Sequence, residues 1–314
     1  MAAKSRTVLV TGGAGFIGSH LVDALIERGL TVRILDNFST GTRSNLNPGA
    51  ELIEADLRNL DSIRPAFHDT DTVFHEAALA RVTLSIDKPT ETHTVNALGT
   101  LHVLMAARDV GVRRVVFAGS SSVYGDQATL PLREQMTPNP LNPYALQKFV
   151  GEKYTYLFHK LYGMQTLTLR YFNVFGPRMT TMGAYVTVIG IFLRQRSEGR
   201  PLTVHGDGTQ SRDFTHVRDV VRANLLAMNC EVADGRALNI GRGSRVTVNR
   251  IAEMVGGPIE YLPRRLDDVG HTLADFSQAN LILGWRPQVS IEDGVAELLQ
   301  LHESDSDRER SHVA

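Results

Sequence analysis

The stretch that decides the fold is "VLVTGGAGFIGSHL", residues 8–21, in which a short apolar run leads into a glycine-rich turn and then an amphipathic segment. Its glycines satisfy both a G-x-x-G-x-x-G and a G-x-G-x-x-G spacing and are Gly12, Gly13, Gly15 and Gly18. Such glycines allow a tight turn and let the backbone approach a pyrophosphate, which then lies at the positive end of the following helix. Alone, the spacing is a weak signal, because many glycine-rich loops are only turns.

An acidic residue lies at the distance from this loop that dinucleotide binding requires. Asp36 ends the second predicted strand, about 20 residues beyond the glycines. A carboxylate at that place accepts hydrogen bonds from a ribose diol and repels a 2′-phosphate, so it favours NAD over NADP. The loop and the carboxylate together predict a dinucleotide-binding unit rather than a structural loop.

The first half of the chain alternates short β-branched runs with longer amphipathic stretches. The predicted strands are residues 6–10, 31–35, 51–55, 72–77, 114–119 and 165–170, and the predicted helices are residues 16–29, 95–111 and 143–162. This alternation is typical of an α/β protein with a Rossmann-type, doubly wound parallel sheet that is covered by helices on both faces. Ligands of such sheets bind at the carboxyl ends of the strands.

The composition fits a globular protein and excludes several classes. Of the 314 residues, 42% are hydrophobic and 21% are charged, and the formal net charge of −1 gives no electrostatic case for nucleic acid. The single cysteine, Cys230, excludes an internal disulfide and fits a reducing compartment. No run approaches the ~20 apolar residues of a membrane helix. We expect a soluble, cytoplasmic protein without a metal site.

A second motif, "NPYALQK" at residues 142–148, places a phenol and an ammonium one helical turn apart. Asn142 suits an N-cap and Pro143 suits the first helical position, so the motif predicts a helix start there. Tyr144 and Lys148 then lie on one face of the helix. An ordinary helix start explains the spacing without any chemistry, so the neighbouring segments must decide.

A serine cluster precedes this motif at the end of a predicted strand, at residues 120–122. Serines there are most often turn residues, but this sheet edge is where the cofactor should lie. To act as a base at neutral pH, Tyr144 needs a pKa about three units below 10, roughly 4 kcal/mol. One cation ~6 Å away at an effective dielectric of ~20 supplies about 2.8 kcal/mol. Lys148 and a cationic nicotinamide together would suffice, provided that desolvation does not cancel their effect.

These motifs resemble those of the extended short-chain dehydrogenases/reductases, specifically the NAD-dependent UDP-sugar 4-epimerases that act on UDP-glucose or UDP-N-acetylglucosamine. The resemblance runs from about residue 6 to residue 298. Besides "TGGAGFIG" and "YALQK", it is carried by "HEAA" (75–78), "VNALGT" (95–100), "LRYFNVFGP" (169–177), "GDGTQSRDFTHVRD" (206–219) and "LPRRLDDVGHTLAD" (262–275). It implies a tightly bound NAD and a UDP-sugar substrate.

The resemblance also implies a role for each matching residue. Ser120 would bind the sugar oxygen, Tyr144 would be the base, and Lys148 would hold the nicotinamide ribose and tune Tyr144. The implied cofactor-binding residues are Gly12, Gly15, Phe16, Ile17, Gly18, Asp36, Asn37, Asp56, Leu57, Ala77, Ala78, Asn96, Tyr144, Lys148 and Tyr171. The implied substrate-binding residues are Ser120, Ser122, Tyr144, Asn173, Arg212, Arg265, Asp268 and Thr272. Surface ion pairs are the alternative explanation of Arg212, Arg265 and Asp268.

The residues after Ser120 distinguish among the reactions of this family. The 4,6-dehydratases have an acidic pair there, and the decarboxylases have a glutamate, whereas this chain has Ser121 and Ser122. A hydroxyl of ordinary pKa cannot replace a carboxylate as general base, so an epimerase fits best. The alternatives are a uronic-acid epimerase, an NDP-glucose 4,6-dehydratase, or a non-catalytic NAD-binding regulator. Intact Ser120, Tyr144 and Lys148 argue against the regulator.

In this family a bulky residue before the "Leu/Trp-Ala-Asp" segment excludes N-acetylated sugars, and here that residue is Thr272. The small side chain and "GAYVTVIG" (183–190) predict that UDP-GlcNAc and UDP-GalNAc are accepted, with UDP-glucose and UDP-galactose as further candidates. The resemblance also predicts a homodimer. We expect a NAD-binding Rossmann domain at residues 1–173, to which about 213–242 return, and a smaller C-terminal α/β sugar-nucleotide-binding domain at residues 174–314.

Overall fold

The computed structural model describes residues 7–180, 187–263 and 270–313 of the chain. The strands are β1 (Thr7–Thr11), β2 (Thr31–Asp36), β3 (Glu51–Glu54), β4 (Thr70–His75), β5 (Arg114–Ser120), β6 (Gln165–Tyr171), β7 (Val174–Phe175), β8 (Leu202–His205), β9 (Ser211–Arg212), β10 (Thr215–His216), β11 (Asp234–Ile240), β12 (Val246–Thr247) and β13 (Ile259–Leu262). The α-helices are α1 (Phe16–Glu27), α2 (Leu60–Ile63), α3 (Val82–Asp87), α4 (Pro89–His93), α5 (Gly99–Asp109), α6 (Pro143–Tyr162), α7 (Val188–Ser197), α8 (Val217–Asn229), α9 (Val248–Val255), α10 (Ser277–Leu283) and α11 (Ile291–Val313).

The centre of the fold is a seven-stranded sheet with the order β11-β6-β5-β4-β1-β2-β3. All of its neighbouring strands are parallel. The chain winds outward in one direction from β1 through β3 and in the other from β4 through β11, so the direction changes between β1 and β4. Ligands bind at such a switch point in open α/β sheets. The predicted Rossmann-type, doubly wound parallel sheet is confirmed.

Both faces of the sheet are buried, because alternate residues of each strand point to opposite sides. Val8 and Val10 of β1 pack in one core cluster together with side chains of α1 and α8. Leu9, between them, packs in a second cluster together with side chains of α5 and Phe158 of α6. The sheet is therefore covered by helices on both sides, as a near-continuous apolar strand such as "VLV" predicts.

The six predicted strands and the helix at 143–162 are present, with boundaries within about two residues of the prediction. The predicted helix at 95–111 is divided into a π-helical turn, Thr94–Leu98, and α5. Sequence reasoning missed α3 and α4, which are only 6 and 5 residues long, and it missed strand β11. Helices this short show too few turns for an apolar period to be visible.

The second half of the chain contains a separate hydrophobic core cluster around Phe175, Phe192, Leu202 and Ile251. Helices α7, α9 and α11 contribute side chains to it. Its strands form three two-stranded pairs, β10–β7, β12–β9 and β13–β8. Helix α8 contacts α1, and β11 completes the edge of the central sheet beside β6. The domain boundaries stay a prediction. Across the part of the chain that the structure describes, no helix is long and apolar enough to cross a membrane.

Candidate active site

The glycine turn after β1 packs closely against the backbone of the segment that follows β4. Gly12 has a φ of +71°, and a Cβ on it would lie 2.7 Å from the backbone of Ala77. A Cβ on Gly18 would collide with the carbonyl oxygen of Gly12. Helix α1 begins after Gly15, and no side chain caps its N-terminus. The turn is thus a cradle that only glycine permits, and it fits a pyrophosphate facing the first N–H groups of α1.

The predicted ribose carboxylate lies directly beside this turn. Asp36 is 8% exposed, its Oδ2 accepts the Ala14 N–H at 3.0 Å and its Oδ1 accepts the Phe38 N–H at 2.8 Å. Each carboxylate oxygen has a further lone pair. Asp36 therefore ties the end of β2 to the turn and can still accept two hydroxyl groups, as the predicted role requires.

Asn37 and Asp56 meet at the ends of neighbouring strands. The Asn37 Nδ2 donates to the Asp56 Oδ2 at 2.9 Å, and Arg58 donates to both oxygens of Asp56 at 2.9 and 2.6 Å. Arg58 holds the pKa of Asp56 at about 2. Leu57 is buried beside them. Sequence reasoning missed Arg58, although its place two residues after Asp56 permits the fork-shaped pairing.

The wall of the site follows β4 and is fixed by buried hydroxyl and imidazole groups. The Ala77 N–H donates to Thr11 Oγ1 at 3.3 Å, and Thr11 Oγ1 lies 2.7 Å from His75 Nδ1. The other ring nitrogen, His75 Nε2, lies 2.9 Å from Thr100 Oγ1. Burial lowers the pKa of His75 to about 3, so the ring is neutral. Ala77 is therefore held next to the glycine turn, and contact of Ala77 and Ala78 with a cofactor stays a prediction.

Asn96 lies in the π-helical turn and is 2% exposed. Its side chain accepts the Leu79 N–H at 2.8 Å and donates to the Leu79 carbonyl at 3.1 Å and to Gln147 Oε1 at 2.8 Å. The amide therefore links the wall to helix α6 through protein groups. Direct contact of Asn96 with a cofactor stays a prediction.

Helix α6 begins as the sequence predicts. Pro143 opens it, and the Asn142 side chain accepts the Ala145 N–H at 2.9 Å. The Tyr144 N–H is satisfied from another element, because it donates to the hydroxyl of the buried Ser85 in α3 at 3.0 Å. Ser85, which sequence reasoning missed, therefore fixes the start of the helix at the predicted catalytic residue.

The predicted catalytic residues come together at the carboxyl ends of the strands. Lys148 is 4% exposed, and its Nζ donates to the Ala118 carbonyl of β5 at 2.8 Å. Ser120 ends the same strand, and its Oγ lies 2.8 Å from Ser122 Oγ. Tyr144 interacts with the Ser120 hydroxyl. The structure thus places a phenol, a hydroxyl pair and an ammonium at one place, two strands from the glycine turn.

Desolvation controls the pKa of Tyr144 in the protein alone. Burial raises the pKa of Tyr144 above its ordinary value, and the hydrogen bond with Ser120 only partly opposes this. Burial also lowers the pKa of Lys148 to about 8. In the protein alone, desolvation outweighs the interactions that lower the pKa of Tyr144. The lowering by Lys148 together with a cationic nicotinamide stays a prediction. A further positive charge in the site is needed to make Tyr144 acidic.

Three side chains near the catalytic residues, those of Glu76, Tyr171 and Asn224, are joined by hydrogen bonds. The Tyr171 hydroxyl donates to Glu76 Oε1 at 2.8 Å and accepts from Asn224 Nδ2 at 2.7 Å. Tyr171 ends β6 opposite Ser120 of β5. The predicted cofactor-binding Tyr171 therefore lies at the same sheet edge as the catalytic residues, while Glu76 and Asn224 were not predicted.

Three of the predicted substrate-binding residues converge from separate segments. Asn173 Nδ2 donates to the Asp213 carbonyl at 2.9 Å and lies 3.5 Å from Thr272 Oγ1. The adjacent Arg212 donates to the Gly270 carbonyl at 3.2 Å. The predicted Arg265 and Asp268, and residues 183–186 of the predicted sugar-pocket segment, lie outside the described residues.

A cleft of about 250 Å³ adjoins Arg212 in the second half of the chain. Its lining residues are His205, Gly206, Asp207, Thr209, Gln210, Gly270 and His271. The motif at 206–219 points to part of this lining, but sequence reasoning named neither His205 nor His271. Within the described residues, no group of three or more His, Cys, Asp or Glu side chains could hold a metal ion.

The chain belongs to the NAD dependent epimerase/dehydratase family, whose model matches residues 8–241. A UDP-glucose 4-epimerase of Mycolicibacterium smegmatis is 35% identical to it over 315 residues, which cover 95% of this chain and 99% of the relative. This similarity shows that the chain is an NAD-dependent isomerase. It confirms the family that the motifs indicate.

Two solved structures extend the comparison to the fold. The UDP-N-acetylglucosamine 4-epimerase from Methanobrevibacter ruminantium M1, in complex with UDP-N-acetylmuramic acid, has a TM-score of 0.91 and 36% identity, covering 96% of this chain and 100% of that chain. The UDP-glucuronic acid 4-epimerase from Bacillus cereus, in complex with UDP-glucuronic acid and NAD, has a TM-score of 0.87 and 31% identity, covering 95% of this chain and 99% of that chain. The relatives thus differ in the sugar that they act on.

Proposed function

We propose that the chain is a 4-epimerase of a UDP-hexose that works by transient oxidation of the sugar. The observation that carries this proposal is the meeting of Ser120, Tyr144 and Lys148 at the edge of the sheet that also holds the glycine turn. A hydroxyl, a phenol and an ammonium are the groups needed to bind a sugar alcohol, take its proton and bind a ribose.

The residues present fit NAD, since the turn is a cradle that only glycine permits and Asp36 keeps free acceptor capacity. A bound NAD would supply a reversible hydride acceptor for C4 of the sugar. The Ser120 hydroxyl orients the 4-hydroxyl, and Tyr144 removes its proton and later gives it back. Lys148, fixed by the Ala118 carbonyl, has two further N–H groups to offer to a ribose.

Inversion requires the sugar to turn while the nucleotide stays bound. We propose that Asn173 and Arg212 hold the diphosphate, and this is supported by their positions on converging segments, where Asn173 donates to the Asp213 carbonyl and Arg212 to the Gly270 carbonyl. The 250 Å³ cleft next to Arg212 offers room for the base of the nucleotide. Firm binding at that end leaves the hexose free to present its other face to Tyr144.

The neighbours of Ser120 favour epimerisation over elimination. Ser122 Oγ is bonded to Ser120 Oγ at 2.8 Å, and Ser121 is the residue between them. A 4,6-dehydratase needs a carboxyl acid and base at these places, and two serines cannot supply them. A uronic-acid epimerase stays a second candidate, because the relative from Bacillus cereus is a UDP-glucuronic acid 4-epimerase.

We propose that N-acetylated UDP-sugars are accepted as substrates. Thr272 is small, and its Oγ1 accepts the Asp213 N–H at 3.2 Å, so the hydroxyl is turned toward the protein backbone. A side chain held this way leaves room for an acetamido group. The relative from Methanobrevibacter ruminantium is a UDP-N-acetylglucosamine 4-epimerase. We therefore expect turnover of UDP-GlcNAc and UDP-GalNAc.

The protein is expected to be a homodimer through one face of α6. Leu146, Leu157 and Leu161 of this helix are 52%, 41% and 66% exposed, so the helix leaves a row of large apolar side chains uncovered. Burial of such a face against its copy would be favourable at about 25 cal/mol per Å² of apolar surface. Sedimentation equilibrium of the full chain checks this, and a monomer at micromolar concentration would contradict it.

The function is tested by assaying the purified, NAD-loaded protein with UDP-GlcNAc, UDP-GalNAc, UDP-glucose, UDP-galactose and UDP-glucuronic acid. Tyr144→Phe should retain NAD and lose at least 100-fold in turnover, because a general base contributes about 10² to 10⁴ in rate. Tyr156→Phe, a change on an exposed position of the same helix, is the matched control. Full activity of Tyr144→Phe would refute the mechanism, and turnover of UDP-galactose without any turnover of N-acetylated sugars would refute the roomy pocket.

A further inference from the structure

Glu76 is a partly buried carboxyl group beside the catalytic residues for which the proposed reaction has no role. It follows β4 directly, and its backbone N–H donates to the Thr11 carbonyl of β1 at 3.2 Å. Its Oε1 accepts from the Tyr171 hydroxyl at 2.8 Å, which in turn accepts from Asn224 Nδ2 at 2.7 Å. Glu76 is therefore fixed through its backbone and through one carboxyl oxygen, at the switch point of the sheet.

Strand register places Glu76 close to the residue that holds Lys148. His75 of β4 pairs with Phe117 of β5, so Glu76 and Ala118 are the next residues along the two neighbouring strands. Ala118 is the residue whose carbonyl accepts from Lys148 Nζ at 2.8 Å. Glu76 and the residue whose carbonyl holds Lys148 are thus neighbours on adjacent strands, at the carboxyl ends of the sheet.

Glu76 and Lys148 each favour the charged form of the other. The charge of Glu76 raises the pKa of Lys148, which burial lowers to about 8. In return, Lys148 and the Tyr171 hydroxyl lower the pKa of Glu76, which burial raises to about 7. Two further titratable groups lie near Lys148 in the described part of the chain: Tyr144, whose pKa burial raises, and His75, whose ring is neutral. Glu76 is the negative charge that acts on this ammonium.

Building on the proposed function, we propose that Glu76 is a positioning residue whose negative charge balances Lys148 and the cationic nicotinamide, so that NAD is held oxidised between turnovers. The oxidised nicotinamide ring is positively charged and the reduced ring is neutral. A fixed negative charge in a site of low dielectric therefore favours the oxidised form. An enzyme that returns its hydride in every cycle needs the oxidised form each time a new sugar binds.

The test uses a chemical hydride donor, so that it does not depend on the sugar substrate. The NAD-loaded protein is treated with sodium cyanoborohydride. One hydrogen moves with the electron pair of its B–H bond to the nicotinamide ring, which reduces the cofactor and leaves cyanoborane to be captured by water. The near-ultraviolet absorbance of the reduced ring reports the rate. Glu76→Gln keeps the shape and the oxygen that accepts from Tyr171 but removes the charge. We expect reduction to become about tenfold faster, the effect of roughly one pKa unit.

Matched variants separate charge from packing. Glu134→Gln is the control, because burial also raises the pKa of Glu134 and its Oε1 accepts the Asn239 N–H at 2.8 Å, away from Lys148. It should reduce at the parental rate, and so should Glu76→Asp, which keeps the charge. A parental rate in Glu76→Gln, or equal acceleration in Glu134→Gln, would overturn the proposal.

A second variant covers the case in which Glu76→Gln does not retain NAD. Tyr171→Phe removes the hydrogen bond that favours the ionised carboxyl group and leaves the carboxyl group itself. It should accelerate reduction near neutral pH and much less in alkaline buffer, where Glu76 is ionised in either case. If Tyr171→Phe accelerated cofactor reduction over the parent by the same factor at neutral and at alkaline pH, the proposal would be overturned. Since no nucleotide sugar is present, an absence of epimerase activity would refute the proposed function without deciding this result.

Discussion

Helix α6, which carries Tyr144 and Lys148, is held to the sheet by a buried ion pair whose removal should be costly. Arg170 of β6 donates to both oxygens of Glu152 of α6 at 2.6 and 2.9 Å, and the two side chains are 3% and 6% exposed. Glu152→Gln leaves the guanidinium group without its countercharge in a site that is little exposed to water. Breaking a buried pair in this way costs about 3–5 kcal/mol.

The glutamine keeps one oxygen that can accept from Arg170, so we expect the lower end of this range, about 3 kcal/mol. At roughly 2 °C per kcal/mol for a chain of this size, the melting temperature should fall by about 6 °C. Trp285 is the only tryptophan and is fully buried, so its fluorescence reports unfolding. Urea unfolding followed in this way measures the loss in the free energy of unfolding, and a thermal scan measures the loss in melting temperature.

A variant with both charges removed is the control for this prediction. Replacing the pair by Glu152→Leu and Arg170→Met removes the isolated charge, so the double variant should be more stable than Glu152→Gln. A Glu152→Gln protein within about 0.5 kcal/mol of the parent would show that the pair is not needed to hold α6. Equal loss in the single and double variants would instead assign the cost to packing.

Two further predictions concern the cofactor turn and the pH dependence of stability. Gly18→Ala should abolish retention of NAD after gel filtration, because the added Cβ would collide with the Gly12 carbonyl oxygen; a normal NAD content would contradict the cradle. His75 has a folded pKa of about 3 against an ordinary 6.5, so the unfolded chain binds more protons between these values. The free energy of unfolding should therefore fall as the pH drops from 6.5 toward 3, and His75→Asn should flatten this slope in urea titrations at several pH values.

The parts of the site that could be predicted from the sequence are those that local spacing controls. The glycine turn, the Asp36 carboxylate and the start of α6 at Asn142 each depend on neighbours within a few residues, and the structure shows each of them. The parallel sheet follows from the apolar runs because both of its faces are buried. Short helices such as α3 carry too little periodicity to be predicted.

The rest depends on contacts between residues that are distant in sequence. Ser85 binds the Tyr144 N–H across 59 residues, and Glu76 meets Tyr171 across 95 residues. No spacing rule connects such pairs before the fold is known. The sequence left open how far desolvation opposes the two cations at Tyr144, because the extent of its burial is a property of the folded chain.

The neutral ring of His75 has a consequence for the direction of the bonds around it. Thr100 Oγ1 donates to the Asn96 carbonyl at 2.6 Å, so it must accept from His75, whose proton is then on Nε2. His75 Nδ1 consequently accepts from Thr11, which leaves the Thr11 oxygen to accept the Ala77 N–H. Five polar groups thus form one chain of hydrogen bonds that runs from the Ala77 N–H through the side chains of Thr11, His75 and Thr100 to the Asn96 carbonyl. The donor and acceptor at each link are fixed by a single tautomer of His75, and reversing any link would leave a neighbouring group without its partner.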